Sequence, residues 1–187
     1  MTLACATAAE LRAARRAGAR VALVGLGAAN GVPDGPVVSY GLAGGLRDDL
    51  AAGTVLDATR IVDGEGSVLW EGGPLGVAGA QPGTILATEA IVDDPNERRR
   101  LHERTGADAA DLESGPLART GRLHGVLRAV SDTPSQPLYG MANGVKPDGS
   151  YDWSALALAF ARDPRGFVRT ARTARRALAQ LERSWAT

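Results

Sequence analysis

Short apolar runs of β-prone residues alternate with helix-prone segments along most of the chain. The runs that favour strands are 1–6, 20–25, 36–41, 54–63, 67–70, 84–92 and 123–132. The segments that favour helices are 8–19, 93–106, 114–121, 152–163 and 164–185. Strands and helices that alternate in this way pack as layers, with the helices covering a sheet. The sequence therefore predicts an α/β fold, a three-layer α/β/α sandwich around a central mixed β-sheet.

Length, charge and cysteine content limit the class of protein. The 187 residues suffice for one domain spanning 1–187, and the single Cys5 cannot form an internal disulfide. Lys and Arg number 21, as do Asp and Glu, so no net charge attracts nucleic acid. The N-terminus lacks a signal-peptide pattern, and no apolar run approaches the roughly 20 residues of a membrane span. We expect a cytoplasmic protein with no membrane span and no nucleic-acid partner.

Two glycine clusters follow predicted strands. The first, "VGLGAANG" at 24–31, is close to the dinucleotide-binding fingerprint, but "VPDGP" follows it and no helix can begin there. It predicts a tight reversal after a strand. The second, "SYGLAGGL" at 39–46, predicts a turn that either needs space or lies with its backbone against a ligand.

The second cluster is one of three motifs that end predicted strands. "SYGLAGGL" is followed by "GADAADLES" at 106–114 and by "VLRAVSD" at 126–132. Strand ends at one edge of an α/β sheet are where such folds bind ligands. In these motifs the chain resembles the nucleoside phosphorylase and nucleosidase superfamily, whose members cleave purine or pyrimidine bases from ribosides. The resemblance runs from "LACATAAEL" to the terminal helix and is closest to the hopanoid-associated branch.

The resemblance implies an enzyme that binds a purine nucleoside and cleaves its N-glycosidic bond without a cofactor. The hopanoid branch implies an adenine nucleoside with a bulky apolar 5′ substituent, such as adenosylhopane. Methylthioadenosine/adenosylhomocysteine nucleosidases and futalosine hydrolase are more distant members. The family's helix between "VGLG" and "VVSYG" and the β-hairpin after its first helix are missing here, so we expect a trimmed version of the phosphorylase/hydrolase-like fold. A homodimer is also implied.

Three carboxyl groups match the family's functional positions. Asp132 matches the acid that protonates N7 of the departing purine, and an apolar strand before it would keep it protonated. Glu113 matches the glutamate that accepts hydrogen bonds from the ribose hydroxyls. Glu10 lies near the position of the glutamate that activates the attacking water. The alternatives are a turn or cap residue for Asp132, a helix-opening residue for Glu113 and a solvated first-turn glutamate for Glu10.

Further residues match positions that contact the nucleoside. They are Leu112, Ala43, Gly44, Ile91, Val92 and Ser131. Leu112 replaces the family's methionine against the sugar, a mild change in volume. Ile91 and Val92 lie in "TEAIVDD", the segment expected to pair with and stack on the base, although ordinary strand core is an equal alternative. The charge run "NERRRLHER" at 96–104 predicts a solvated helix face, and neither His102 nor His124 has a partner at metal-ligand spacing.

The nucleophile is either water or phosphate. Where the family's phosphorylases place an arginine and a serine to hold phosphate, this chain has Ser39 and Leu42, which removes two anchors and favours hydrolysis. If phosphate does react, its candidate ligands are Gly25, Gly27 and Arg47. Phosphorolysis therefore remains an alternative, and so does a non-catalytic protein that binds purine nucleosides.

Overall fold

Eight strands form one mixed sheet, with helices on both of its faces. The computed structural model describes residues 1–136, 138 and 141–186. In chain order these residues form β1 (Thr2–Cys5), α1 (Ala8–Arg16), β2 (Val21–Leu23), β3 (Val37–Gly45), β4 (Val55–Val62), β5 (Val68–Glu71), β6 (Gln81–Ala87), α2 (Pro95–Thr105), β7 (Ala109–Asp111), α3 (Ser114–Arg119), β8 (Leu123–Asp132), α4 (Trp153–Arg162) and α5 (Pro164–Ala186). The predicted α/β architecture around a central mixed sheet is confirmed.

Five of the strands close into a ring. β3 runs parallel to β8, β8 antiparallel to β4, β4 parallel to β6, β6 parallel to β7, and β7 antiparallel to the end of β3. β1 and β2 extend the sheet from β3, and β5 extends it from β4. Because β3 pairs with β1 early and with β7 late on the same side, its last residues turn into the ring.

Two apolar layers hold the helices against the sheet. Successive strand residues point to opposite faces, so Leu3 and Cys5 pack in one layer while Ala4 packs in the other. In the first layer, Ala14 of α1 and Ala177 and Leu181 of α5 pack against the sheet. In the second layer, Leu117 of α3 packs against the opposite face. The strand ends between these layers are the part of the fold that shapes the site.

The ends of β3 and β6 differ most from the sequence prediction. β3 continues to Gly45, so the "GLAGG" segment is extended strand and not a turn. β6 ends at Ala87, which pairs with the last residue of β7, while the last residue of β4 pairs with Leu86. Ile91 and Val92 therefore lie after the strand, in an irregular segment that leads to α2.

The connections are short or irregular. The fully described segment between β2 and β3 contains one 3₁₀ turn, Leu26–Ala28. The predicted loop 133–150 contains a 3₁₀ turn at Met141–Gly144 and a bridge between Val145 and Tyr151, and residues 137, 139 and 140 lie outside the described residues. Within the described chain, no helix combines the length and apolar character needed to cross a membrane.

Candidate active site

A cavity of about 280 Å³ lies where β3, β7 and β8 end beside the N-terminus of α1. Its lining includes all nine residues predicted to contact or act on a nucleoside: Glu10, Ala43, Gly44, Ile91, Val92, Leu112, Glu113, Ser131 and Asp132. These residues come from five separate stretches of sequence, and the fold brings them together. The predicted phosphate ligands Gly25, Gly27 and Arg47 are not in this lining.

Glu10 is buried at the start of α1, with 3% of its surface exposed. Its Oε2 accepts a hydrogen bond from the Thr7 N–H at 2.8 Å, while the Thr7 hydroxyl accepts one from the Glu10 N–H, which forms a capping box. Its Oε1 accepts a hydrogen bond from the Leu42 N–H of β3 at 2.7 Å. The alternative of a solvated first-turn glutamate is therefore wrong, because the cap holds this carboxylate against β3 at the cavity.

The glycines of β3 make room for charged side chains. A Cβ at Gly41 would collide with Glu10 Oε1 and lie 2.6 Å from Arg128 Nη1. A Cβ at Gly44 would lie 3.2 Å from Asp132 Oδ2 and 3.4 Å from Arg98 Nη2. The glycines are thus explained by close approach of carboxyl and guanidinium groups to a strand, and not by a turn.

Arg128 is fully buried in β8 and binds two carboxylates. Its Nε lies 2.6 Å from Asp111 Oδ2, and its Nη2 lies 3.2 Å from Glu113 Oε2. Nη2 also donates to the Ser39 hydroxyl at 2.7 Å. Sequence reasoning missed both Arg128 and Asp111, although an arginine inside the apolar run "GVLRAV" was a signal of a buried ion pair.

Glu113 lies at the N-cap position of α3 but does not cap the helix. Its Oε1 accepts a hydrogen bond from the Gly27 N–H at 3.2 Å, and its Oε2 faces Arg128. Burial raises the pKa of Glu113 to about 8, the Arg128 charge opposes this rise, and Asp111 and Glu10 add to it. Two carboxyl groups thus pair with one guanidinium, and burial together with the acidic neighbours favours the protonated form of Glu113.

Asp132 ends β8 with 3% of its surface exposed. Its Oδ2 lies 2.5 Å from Arg98 Nη2, and its Oδ1 accepts a hydrogen bond from the Ser131 hydroxyl. Burial raises its pKa, while Arg98 and the Ser131 hydrogen bond oppose the rise. Asp132 is therefore neither a helix cap nor an exposed turn residue.

Arg98 corrects the prediction that the whole charge run of α2 is solvated. It is 2% exposed and lines the cavity, whereas Arg100 in the same run is exposed. Its Nε donates to the Val92 carbonyl at 2.7 Å, so the segment predicted to pair with a base is held by this guanidinium. The signal was its spacing, because Arg98 lies three residues before buried Leu101 and hence on the same helix face.

The predicted phosphate ligands Arg47, Gly25 and Gly27 make other contacts and do not line the cavity. Arg47 pairs with Asp49 at 2.9 Å and with Asp108 at 3.0 Å, both outside the cavity. Gly27 donates its N–H to Glu113, and Gly25 packs against the Pro147 carbonyl, where a Cβ would lie 2.6 Å away. The structure therefore does not bring Arg47, Gly25 and Gly27 together as an anion site. In the part of the chain that is described, no group of three or more His, Cys, Asp and Glu residues is arranged to hold a metal.

Neither a protein-family model nor a curated protein matches the sequence, so comparison rests on solved structures. The methylthioadenosine/adenosylhomocysteine nucleosidase of Neisseria meningitidis, in complex with methylthio-immucillin-A, is 17% identical, with a TM-score of 0.57 over 96% of each chain. A Helicobacter pylori nucleosidase mutant with 5′-methylthioadenosine in its active site is 16% identical, with a TM-score of 0.54 over 97% of each chain. Futalosine hydrolase of H. pylori is 15% identical, with a TM-score of 0.55 over 96% of this chain and 95% of that one. The chain has the fold of these nucleoside-cleaving proteins.

Proposed function

We propose that this protein is a nucleosidase that hydrolyses the N-glycosidic bond of a purine nucleoside. The observation that carries the proposal is the meeting of three buried carboxyl groups, Glu10, Glu113 and Asp132, at one cavity. Its volume of about 280 Å³ is near the lower end of the roughly 300–1,000 Å³ of small-molecule sites. The similar H. pylori structure holds 5′-methylthioadenosine in its active site, which supports a nucleoside of this size.

Asp132 is the general acid of the proposed reaction. The bond between C1′ and N9 breaks as the Asp132 proton moves to N7, so the base leaves without carrying a full negative charge. Burial favours the protonated form that this step needs. Arg98, 2.5 Å away, then stabilises the carboxylate that the proton transfer produces.

Glu113 and Glu10 act on the sugar side. Glu113 binds the ribose hydroxyls, and it is oriented by Arg128 and by the Gly27 N–H. Glu10, held by two backbone N–H groups, takes a proton from the water that attacks C1′ as positive charge develops there. Water thus supplies the new C1′–O bond, and the products are the free base and the free sugar.

The substrate we propose is an adenine nucleoside with a bulky apolar 5′ substituent such as adenosylhopane. Beyond the three carboxyl groups, much of the cavity wall is apolar. That part of the wall includes Leu26, Leu46, Leu138, Met141, Val145, Ala174 and Leu178. An apolar wall favours an apolar substituent over a charged one, since a charge would lose hydration there. The predicted homodimer and cytoplasmic location remain predictions.

The test is release of free base from adenosine, methylthioadenosine and an adenosyl-alkyl compound by the parent protein and by Asp132→Asn. An amide can still donate a hydrogen bond to N7 but cannot deliver a proton. We expect the variant to keep nucleoside affinity and to lose turnover by about 10²- to 10⁴-fold, the usual contribution of a general acid. A nucleoside whose base leaves without protonation should be cleaved equally by both proteins, which separates acid catalysis from misfolding.

The same assay distinguishes the alternatives. Base release that is independent of phosphate supports hydrolysis, whereas ribose 1-phosphate formed in proportion to added phosphate would establish phosphorolysis. A parent protein that releases no base over hours, yet is stabilised against heat by adenosine analogues, would be a binding protein and not an enzyme.

A further inference from the structure

Helix α4 exposes an apolar surface that the fold leaves uncovered. Trp153 is 74% exposed, Leu158 51% and Phe160 48%. Trp153 and Phe160 are seven residues apart and therefore lie on one face of the helix. The only charged residue in α4 is Arg162 at its end. A helix with so little polar surface is normally covered, so these exposed side chains indicate an interaction face.

Helix α5 places a row of arginines beside that apolar surface. Arg165, Arg169, Arg172 and Arg176 are spaced by four, three and four residues, so they form one stripe along the helix. The groove that they line also includes Phe160 of α4 and Val168. Among the described residues, Arg165, Arg172 and Arg176 form no ion pair with a carboxylate.

We propose that this α4–α5 face, defined by Trp153, Phe160, Val168 and the four arginines, binds the surface of an anionic lipid bilayer. Tryptophan and phenylalanine are suited to the boundary between headgroups and acyl chains, and guanidinium groups bind lipid phosphates. The protein has no net charge, so the attraction comes from this local stripe and not from the whole molecule. Docking of this kind lays the protein on a membrane and does not require a spanning helix.

The charges on the face favour a bilayer over a second copy of the chain. A two-fold contact would place the same surface on both subunits, and arginine rows would then face each other. Like charges across an interface are costly, while anionic headgroups complement them. The nearby acids offset only part of this charge, because Asp152 and Asp163, which cap the helices by accepting the N–H groups of Ser154 and Gly166, are two charges against four arginines.

The arginine stripe lies on the side of α5 away from the candidate active site, while Trp153 packs against Tyr151, which lines the cavity. Ala174 and Leu178 line the cavity, and their positions on α5 are about 180° and 140° around the helix from the arginine stripe. The proposal therefore does not depend on the reaction at the cavity. Failure of one leaves the other intact, because the first is measured by vesicle binding and the second by base release.

The experiment is co-sedimentation of the full-length protein with vesicles of phosphatidylcholine alone and of phosphatidylcholine with 30% phosphatidylglycerol. We expect binding to the anionic vesicles that weakens as salt rises. The variant Arg165→Gln/Arg172→Gln/Arg176→Gln should partition roughly 100-fold more weakly, since each arginine near an anionic surface contributes about fivefold. Its matched control, Arg20→Gln/Arg100→Gln/Arg119→Gln, removes the same charge from exposed sites elsewhere and should bind like the parent.

Two further measurements test whether Trp153 inserts into the bilayer and whether a second copy of the chain binds this face instead. Brominated lipids should quench the fluorescence of Trp153 in the parent protein. This part of the quenching should be absent in Trp153→Ser. Equal binding to neutral and anionic vesicles, equal losses in the two triple variants, or no binding at all would overturn the proposal. So would a dimer in sedimentation velocity that Trp153→Ser dissociates, because the face would then be an interface between copies.

Discussion

At the scale of single residues, two buried arginines control the carboxyl groups of the candidate site. Arg98 pairs with Asp132, and Arg128 pairs with Asp111 and Glu113. A buried charge without a partner is costly, so each guanidinium fixes the position of its carboxylates, and the arginines keep the pKa values of Asp132 and Glu113 lower than burial alone would make them. The chemistry therefore depends on residues outside the three motifs as well as on those within them.

Arg98→Gln tests this control through the pH dependence of activity. Arg98 opposes the burial that raises the pKa of Asp132, so its removal lets that pKa rise further. The proposed general acid acts in its protonated form, so the alkaline limb of kcat/KM against pH should move to higher pH in the variant. Arg99→Gln is the matched control, because Arg99 is partly exposed and pairs with Asp48 on the surface. A limb that moves equally in both variants, or in neither, would show that Arg98 does not set the acid's protonation.

The carboxyl groups were predicted from sequence, whereas their pairing with particular arginines depends on tertiary packing. Glu113 and Asp132 end runs that resemble family motifs, and strand ends are local features. Arg98 stands among three consecutive arginines, and which of them is buried depends on how α2 docks, a tertiary property. Arg128 meets Glu113 only because β8 lies beside β3 and near α3.

At the scale of elements, β3 is the strand that adapts most to the site. Its cluster of glycines predicted a turn because glycine is common where backbones reverse. The strand continues because its last residues pair with β8 and β7, and such pairing is invisible in a local sequence window. The same limit explains the early end of β6, which stops where its neighbours stop.

Gly41→Ala tests the role of β3. The added methyl group would meet Glu10 Oε1 and Arg128 Nη1, so the carboxylate must shift. We expect a loss of about 1–3 kcal/mol in the free energy of unfolding, typical of overpacking, and a large loss of base release. Gly73→Ala is the control, since a Cβ there meets nothing within 4 Å. Denaturant unfolding of both variants decides it: equal stabilities would mean that Gly41 is not needed for space.

At the scale of the whole molecule, several carboxyl groups are buried at one site of a protein whose net charge is zero. Lys and Arg balance Asp and Glu in the sequence, yet Asp111 and Glu113 both pair with Arg128 in the interior, and Glu10 is buried near them. An interior excess of one sign opposes folding unless a proton neutralises it. The burial of these groups should therefore make stability depend on pH, with Glu113 as one contributor.

Glu113→Gln tests that dependence. The pKa of Glu113 is about 8 in the folded protein and near 4.5 in an unfolded chain, so the folded state binds the proton more tightly. Its contribution to stability is complete below pH 4.5 and is lost as pH rises to about 8. At about 1.4 kcal/mol per pKa unit the loss amounts to several kcal/mol. Glutamine cannot ionise, so the variant should lose less stability than the parent between pH 5 and pH 8.5, as measured by urea unfolding at each pH. Because other titrating groups are common to both proteins, the difference between the two curves isolates Glu113, and parallel curves would show that this carboxyl group is ionised in the folded protein throughout.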